Sequence, residues 1–531
     1  MFDAEHISYQ QASAFSKIVR DYLGGAKELR PFYAWPPSLE GIKAAIAQKL
    51  QQPVNREVLA NELLQQYGEL GMTPAVKENI EKLRAAKTFT ICTAHQPNLF
   101  TGPLYFIYKI LHTIRLAAYL KSSLPQYDFV PVYYMGSEDA DFAELNHTYV
   151  SGKLIEWKKE QGGAVGRMLV DKTLMRLIDE LEGQLFAEPF GAEVIAVLRR
   201  CYSPGRTVQD ATFELVNELY GHYGLVVLIP DNPAFKAQMK SVFADDIFRN
   251  TSAEIVQATS EKLSAVYNAQ AHPREINLFY LKDNIRERII REDEVFRVNN
   301  TVISFTTEEI RVELEHHPER FSPNVILRGL YQETILPNLV FIGGGGEMAY
   351  WLQLKELFEK YNVVYPVLVL RNSFLVMEKK WEELLRKMEI SIAEALLPEA
   401  ELMNLIVTRH SNHAVLLNGN LEKADALFEQ IRSQAGAIDP TLSQHVAALK
   451  ARSIKNLQEL EKKMLRAEKR KFGDHQRQIQ KVKEVLFPMN GLQERVENFS
   501  SFYAKWGRGF IDALYEQSLA LEQQFTILLE R

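Results

Sequence analysis

Residues 91–119 read ICTAHQPNLFTGPLYFIYKILHTIRLAAY, and the fold is decided there. An apolar run, Phe89 to Cys92, ends in a polar turn that carries His95, Gln96, Pro97 and Asn98. Thr101 then stands where an N-cap belongs, and Pro103 falls in the expected first turn, where an N–H would have no partner anyway. Leu104, Ile107, Tyr108, Leu111, Ile114 and Ala118 follow at spacings of mostly three and four, the apolar stripe of an amphipathic helix. Strand, polar loop and helix N-terminus, in that order, let α/β proteins offer free N–H groups and a helix dipole to anions and nucleotides.

Further apolar runs repeat the pattern. Phe129 to Met135 ends in Gly136-Ser137-Glu138-Asp139-Ala140-Asp141, with Asn146 and His147 close behind. Carboxylates at the end of a buried strand suit acid–base chemistry or an ammonium group, although Ser137 and the aspartates would equally cap a following helix. Gly224 to Pro230 is a third core strand, with Asp231 at its end, and Phe321 to Arg328 opens another core section. Thr334 to Ile342 leads into Gly343–Gly346, then Glu347, Tyr350 and Trp351 on a helix. Glycines there allow close backbone approach to a ligand, but no Gly-Lys-Ser/Thr follows, so this is not a Walker sequence. The last core strand, Val363 to Leu370, ends at Arg371, a residue suited to carboxylate or phosphate.

The flanks differ in character. Residues 1 to about 85 read as packing helices, with Gly71 as a helix stop. Val150 to Trp157 reads as a strand, Leu174 to Arg199 as two short helices, and Phe235 to Tyr267 as helical. Arg286-Glu287-Arg288 and the strand-rich patch Val295 to Phe305 follow, an alternation that suggests insertions crossing over the core sheet. From Phe374 onward the chain turns helical and charged. Leu457, Leu460, Met464 and Ala467, then Ile479, Val482 and Leu486, keep the spacing of a coiled coil. Phe487 to Gly491 breaks it, and a final helix pair turns at Gly507.

At 531 residues the chain requires two or more domains, and 46% hydrophobic with 24% charged residues is ordinary globular composition. A net charge of −6 argues against a general nucleic-acid binder. Cys92 and Cys201 are the only cysteines, which rules out a disulfide framework and fits a reducing cytoplasm; both read as buried bystanders. The first residues lack a basic start and an apolar core, and no stretch reaches the roughly 18 apolar residues of a membrane span. The expectation is a soluble, cytoplasmic protein without membrane contact.

Several stretches, in order over nearly the whole length, resemble the bacillithiol biosynthesis cysteine-adding enzymes, a family of cysteine ligases. They are Thr101–Tyr105 with Tyr108-Lys109, Val130–Val132 with Glu138-Asp139 through Asn146-His147, Asn277–Tyr280, Phe321–Arg328, Gly343–Trp351 with Gln353–Lys355, and Leu492–Arg495. Two positions depart from the family pattern: His95-Gln96 replaces a Gln-Gln pair, and Ala140 replaces a histidine between Asp139 and Asp141.

The resemblance implies a Rossmann-like parallel-sheet core over 1–150, 205–235 and 320–375, with connecting-peptide insertions at 150–204 and 236–319. It also implies a C-terminal α-helical coiled-coil domain over 376–531 that forms a homodimer. The implied reaction joins the carboxyl of L-cysteine to the amine of glucosaminyl-malate. Because a carboxylate's own leaving group is poor, ATP or ADP is the expected nucleotide, with no residue that identifies it and none assigned to a metal. His95, Glu138, Asp139 and Asp141 are the catalytic candidates. His95 and Asn98 would steady a transferring phosphate; Glu138 and Asp139 would hold the cysteine ammonium or deprotonate the sugar nitrogen. Lys109, Arg328 and Arg371 are candidates for the malate carboxylates. Gln96, Ser137, Asn146, His147, Gly344, Gly345, Glu347 and Tyr350 complete the substrate-binding set. Two other readings fit the strand ends: a synthetase or nucleotidyltransferase with another acceptor, and a coiled-coil dimeric scaffold that only binds a ligand.

Overall fold

The structure is a computed structural model describing residues 2–12, 15–411 and 416–531. The helical readings of 1–85 and 376–531 run over a few positions outside these (residues 1, 13–14 and 412–415). The chain divides into two compact units, 1–375 with 491–528, and 376–490 with 529–531. Residues 491–528, grouped in the sequence with the C-terminal helices, therefore pack with the first unit.

A five-stranded parallel sheet centres the first unit. Its strands are β1 (Thr88–His95), β2 (Asp128–Met135), β3 (Val226–Leu228), β4 (Asn338–Gly343) and β5 (Val367–Leu370). They lie in the order β5-β4-β1-β2-β3. Covered on both faces, they read as continuous apolar runs and not as alternating ones. Helix α1 (Tyr105–Ser123) follows β1, α2 (Val325–Ile335) precedes β4, and α3 (Gly345–Trp351) follows it. Phe89 and Ile91 of β1, Leu116 and Leu120 of α1, Val340 and Ile342 of β4, and Val367 and Val369 of β5 share one core. The strand order runs one way from β1 to β3 and the other way from β4 to β5. Between β1 and β4 it reverses, and that reversal opens a crevice at the strands' C-terminal ends.

Thr101 is not an N-cap. Leu99–Thr101 is a 3-10 turn in which Phe100 (φ 50°) and Thr101 (φ 75°) are left-handed, as is Gly102 (φ 65°). A Cβ on Gly102 would come 2.8 Å from the Asn98 Cβ, so the turn needs glycine there. The strained loop is held from far along the chain. Asn498 Nδ2 donates to the carbonyls of Phe100 (2.8 Å) and Gly102 (2.6 Å), and the Leu104 N–H donates to Glu497 O (2.8 Å).

Other elements also differ from their sequence reading. Phe2–Ser8 is a strand, and 150–157 belongs to a hairpin, His147–Val150 with Lys153–Glu156. Ser373–Met377 is a strand, and the chain closes on the strand Gln524–Glu530 after its helix pair. Short runs of this kind carry too few periods to separate strand from helix. Phe321–Pro323 is not core sheet. It is the edge of a second, antiparallel sheet ordered Ser304–Thr306, Val295–Val298, Ile285–Glu292, Leu278–Lys282, Phe321–Pro323.

In the second unit, α4 (Asn418–Ile438) and α5 (Pro440–Lys469) form a hairpin, with Asp439 capping α5 through the Thr441 N–H. Lys450 bridges the pair, 2.7 Å from both Asp425 and Glu429. On α6 (Gly473–Leu486) Ile479, Val482 and Leu486 are buried as expected, whereas α4 buries none of its residues. Among the described residues no helix is long and apolar enough to cross a membrane.

Candidate active site

The crevice between β1 and β4 holds a cavity of about 730 Å³. One wall is the row of strand ends: His95 at the end of β1, Glu138 and Asp139 after β2, Gly344 to Glu347 after β4, and Arg371 after β5. The antiparallel sheet supplies the facing wall, with Phe279, Arg286 and Arg288.

His95 ends β1 with its ring edge-on to Tyr105 and its Nε2 3.4 Å from the Tyr105 hydroxyl. Burial, then Lys109, Arg371 and Arg328, push its pKa well below the ordinary histidine value, which keeps the imidazole neutral. Held neutral by burial and three cations, the ring is a weak base and offers the cavity a hydrogen-bonding imidazole edge. Gln96 donates to Asp139 (3.0 Å), fixing that carboxylate from one side, while the Asp141 N–H holds the other (3.2 Å). Glu138 is nearly buried. It pairs with the ammonium of the fully buried Lys236 and accepts from the Ser322 hydroxyl at 3.0 Å. Ser322 in turn accepts from Arg286 Nε (3.1 Å). A charge this buried persists because each of its oxygens has a partner.

Glu347 caps its own short helix by accepting the Gly344 N–H (2.8 Å), and Lys109 Nζ reaches the same oxygen at 2.6 Å. A Cβ on Gly344 would meet only the tips of Glu347 and Arg371, at 3.5 and 3.6 Å, and one on Gly346 nothing within 4 Å. Those glycines keep the floor of the cavity open. Arg371 forms a fork with the buried Glu494 (3.0 and 2.7 Å) and lies over the Tyr105 ring. Arg328 is held by the Tyr350 hydroxyl.

His95, Gln96, Glu138, Asp139, Arg328, Gly344, Gly345, Glu347, Tyr350 and Arg371 thus share one cavity. Six other candidates do not line it. Lys109 is neither a surface charge nor a carboxylate receptor, because its buried ammonium is taken by Glu347 and by Ala94 O (2.6 Å). Asp141 is exposed and caps the helix Phe142–Leu145 (3.3 Å to the Glu144 N–H). Ser137 is buried, its carbonyl bonded to the Gly166 N–H. Asn98 is buried in the 3-10 turn, and Asn146 bonds Trp157 O and His147.

Sequence reasoning passed over Arg274, Arg286, Arg288, Asn277, Asn324 and Arg495, all of which line the cavity. A signal was present, since Arg286 and Arg288 stand two apart on a strand and so share a face. Among the described residues no group of three His, Cys, Asp or Glu side chains is placed to hold a metal.

Comparison with known proteins fits this architecture. Residues 2–372 match the N-terminal Rossmann-like domain of bacillithiol biosynthesis BshC, and residues 374–530 match its C-terminal coiled-coil domain. The chain belongs to the BshC family. Its resemblance to BshC proteins extends over the full length. A Flavobacterium johnsoniae protein named "Putative cysteine ligase BshC" is 40% identical over 98% of this chain and 99% of its own. BshC relatives of the same name from Christiangramia forsetii (40% identical, 98% of each chain) and Cytophaga hutchinsonii (37%, 97% of each) are similar to the same extent.

Proposed function

We propose that this chain is the cysteine ligase of bacillithiol biosynthesis, forming the amide between the carboxyl of L-cysteine and the amine of glucosaminyl-malate in the cytoplasm. The full-length family match supports the ligase activity. The observation that carries the chemistry is the neutral His95 in one cavity with Glu138 and Asp139. Amide formation needs an unprotonated amine. Glu138 and Asp139 draw the sugar ammonium into the cavity, and one of these carboxylates takes the proton that the nitrogen loses, while the neutral His95 hydrogen-bonds the reacting groups. The nitrogen lone pair then attacks the cysteine carboxyl carbon. As the C–N bond forms, the bond from that carbon to the oxygen bearing the leaving group breaks, and the negative charge that departs with this oxygen is met by Arg328 and the Nε edge of Arg371.

A carboxylate has a poor leaving group, and bound ATP would supply a better one. The open floor at Gly344–Gly346 fits such a group, with Arg328 and Arg371 placed to hold its phosphates; the Gly344 N–H is already taken by Glu347.

The same reading makes the protein a homodimer through α4 and α5. Leu427 (55% exposed), Ile438 (83%) and Leu460 (47%) leave apolar surface on the hairpin for a second copy. The function is tested by incubating purified protein with cysteine, glucosaminyl-malate and Mg²⁺, with and without ATP, and following the thiol product by mass spectrometry. Product that depends on ATP is expected. Equal rates without ATP would remove the nucleotide from the reading, and no product with it would remove the ligation.

A further inference from the structure

Strand Ile285–Glu292 alternates its side chains, so Arg286 and Arg288 emerge on one face and meet the cavity together. Across the ladder Arg288 stands opposite Phe279, and the Arg286 guanidinium stacks over that ring at 4.1 Å. Arg274 joins them from the preceding segment. Its backbone is locked to Asn277, which accepts the Arg274 N–H (3.0 Å) and donates Nδ2 to Arg274 O (2.9 Å). Asn277 is itself held by the buried Asp246, which accepts its N–H at 2.6 Å.

These arginines differ from the others in the cavity. Arg371 has Glu494 and Arg328 has Tyr350, but among the described residues the Arg274 and Arg288 side chains have no hydrogen bond or ion pair. Arg286 spends only its Nε, on Ser322, which leaves both terminal nitrogens of the fork unused. The cavity is therefore bipolar. Glu138 and Asp139 stand on the side of the strand ends, and the Arg286 guanidinium, which feels both carboxylates, faces them from the antiparallel sheet beside Arg288 with its terminal nitrogens free of hydrogen bonds. The Arg286–Ser322–Glu138 chain of hydrogen bonds ties the two sides together.

We infer that Arg274, Arg286 and Arg288 form a dicarboxylate subsite that receives the malate end of the acceptor and aims its amine at Glu138 and Asp139. The inference rests on the ligase reading for the identity of the acceptor. Two carboxylates on neighbouring carbons need more than one cation, and the planar guanidinium offers paired donors that match a carboxylate edge. The subsite replaces Lys109, which is committed to Glu347, as receptor for those carboxylates. An amino sugar without the dicarboxylate would leave Arg274, Arg288 and the terminal nitrogens of Arg286 without a partner, so the subsite selects for the full acceptor.

Free malate is the probe, titrated by calorimetry into the full-length protein. Saturable malate binding to the wild type is expected, with Arg274→Gln and Arg288→Gln each weakening it about tenfold or more. Both side chains are exposed, so neither change threatens folding. Arg286 is packed on Phe279, and Arg286→Lys keeps its charge there while removing the fork. In turnover the same variants should raise KM for glucosaminyl-malate in parallel and leave KM for cysteine unchanged. Malate binding that is absent from the wild type, or equal in an Arg274→Gln/Arg288→Gln double variant, overturns the subsite. The two readings fail separately. Loss of malate binding in the variants of a protein that does not ligate glucosaminyl-malate would keep the subsite and discard the ligase reading; equal turnover by wild type and variants would do the opposite.

Discussion

Glu138 shows how one side chain can be fixed for chemistry. Its carboxylate sits between the Lys236 ammonium and the Ser322 hydroxyl and still faces the cavity. Glu138→Gln keeps the shape and removes the charge that draws in an ammonium group. Turnover is expected to fall by about 10²- to 10⁴-fold, the usual range for a lost acid–base group. The single variant leaves Lys236 buried opposite a neutral amide, so Glu138→Gln/Lys236→Met is the control. Removing both charges restores the balance of the interior. The double variant should melt near the wild type and stay inactive; normal turnover in either would discard the role. Residues at strand ends were legible in the sequence because an apolar run ending in Glu-Asp or Arg announces its own exit from the core. Lys109 was not, since its partner Glu347 lies 238 residues away and only the sheet brings them together.

Between elements, His112 on α1 has both ring nitrogens in use. Its Nε2 lies 2.8 Å from Ala520 O, and its Nδ1 accepts the Asn372 N–H at 3.1 Å. Only the neutral ring with hydrogen on Nε2 satisfies both, and burial lowers the pKa from 6.5 to about 4. The folded state therefore resists a proton that the unfolded chain takes up below 6.5. The stabilisation is fully present above pH 6.5 and drains away as pH falls toward 4, by about 3 kcal/mol for a fully buried ring. Denaturant titrations of wild type and His112→Gln between pH 7 and pH 4 should show the wild type losing stability more steeply. Parallel curves would mean that the ring is not held neutral. At this scale the sequence revealed the parallel strands through their unbroken apolar runs. The turn before α1 stayed hidden because Asn498 and Glu497 hold it, and local propensity carries no record of so distant a support.

The whole molecule was legible in outline. Apolar runs ending in polar residues announce the parallel core and a charged tail at coiled-coil spacing announces the long helices, while the Rossmann-like reading comes from the family resemblance. The return of 491–528 to the first unit was not legible, because its helices have the same amphipathic spacing as those of the tail. Apolar surface left on α4 and α5 sets the prediction for this scale. Light scattering at micromolar concentration should give a dimer, and Leu427→Glu with Leu460→Glu should shift it to monomer without unfolding the chain. A wild-type monomer would count against the dimer.

Arg371 and Glu494 meet only after the chain has left the first unit at Leu375 and come back at Gly491. In protein synthesis the arginine emerges first, and it waits without its carboxylate while the whole second unit is translated. A polypeptide cut short before that return, by a premature stop codon or a protease, carries an unneutralised cation at the end of β5. The end of β5 is therefore complete only in a chain that has been carried through to Glu494.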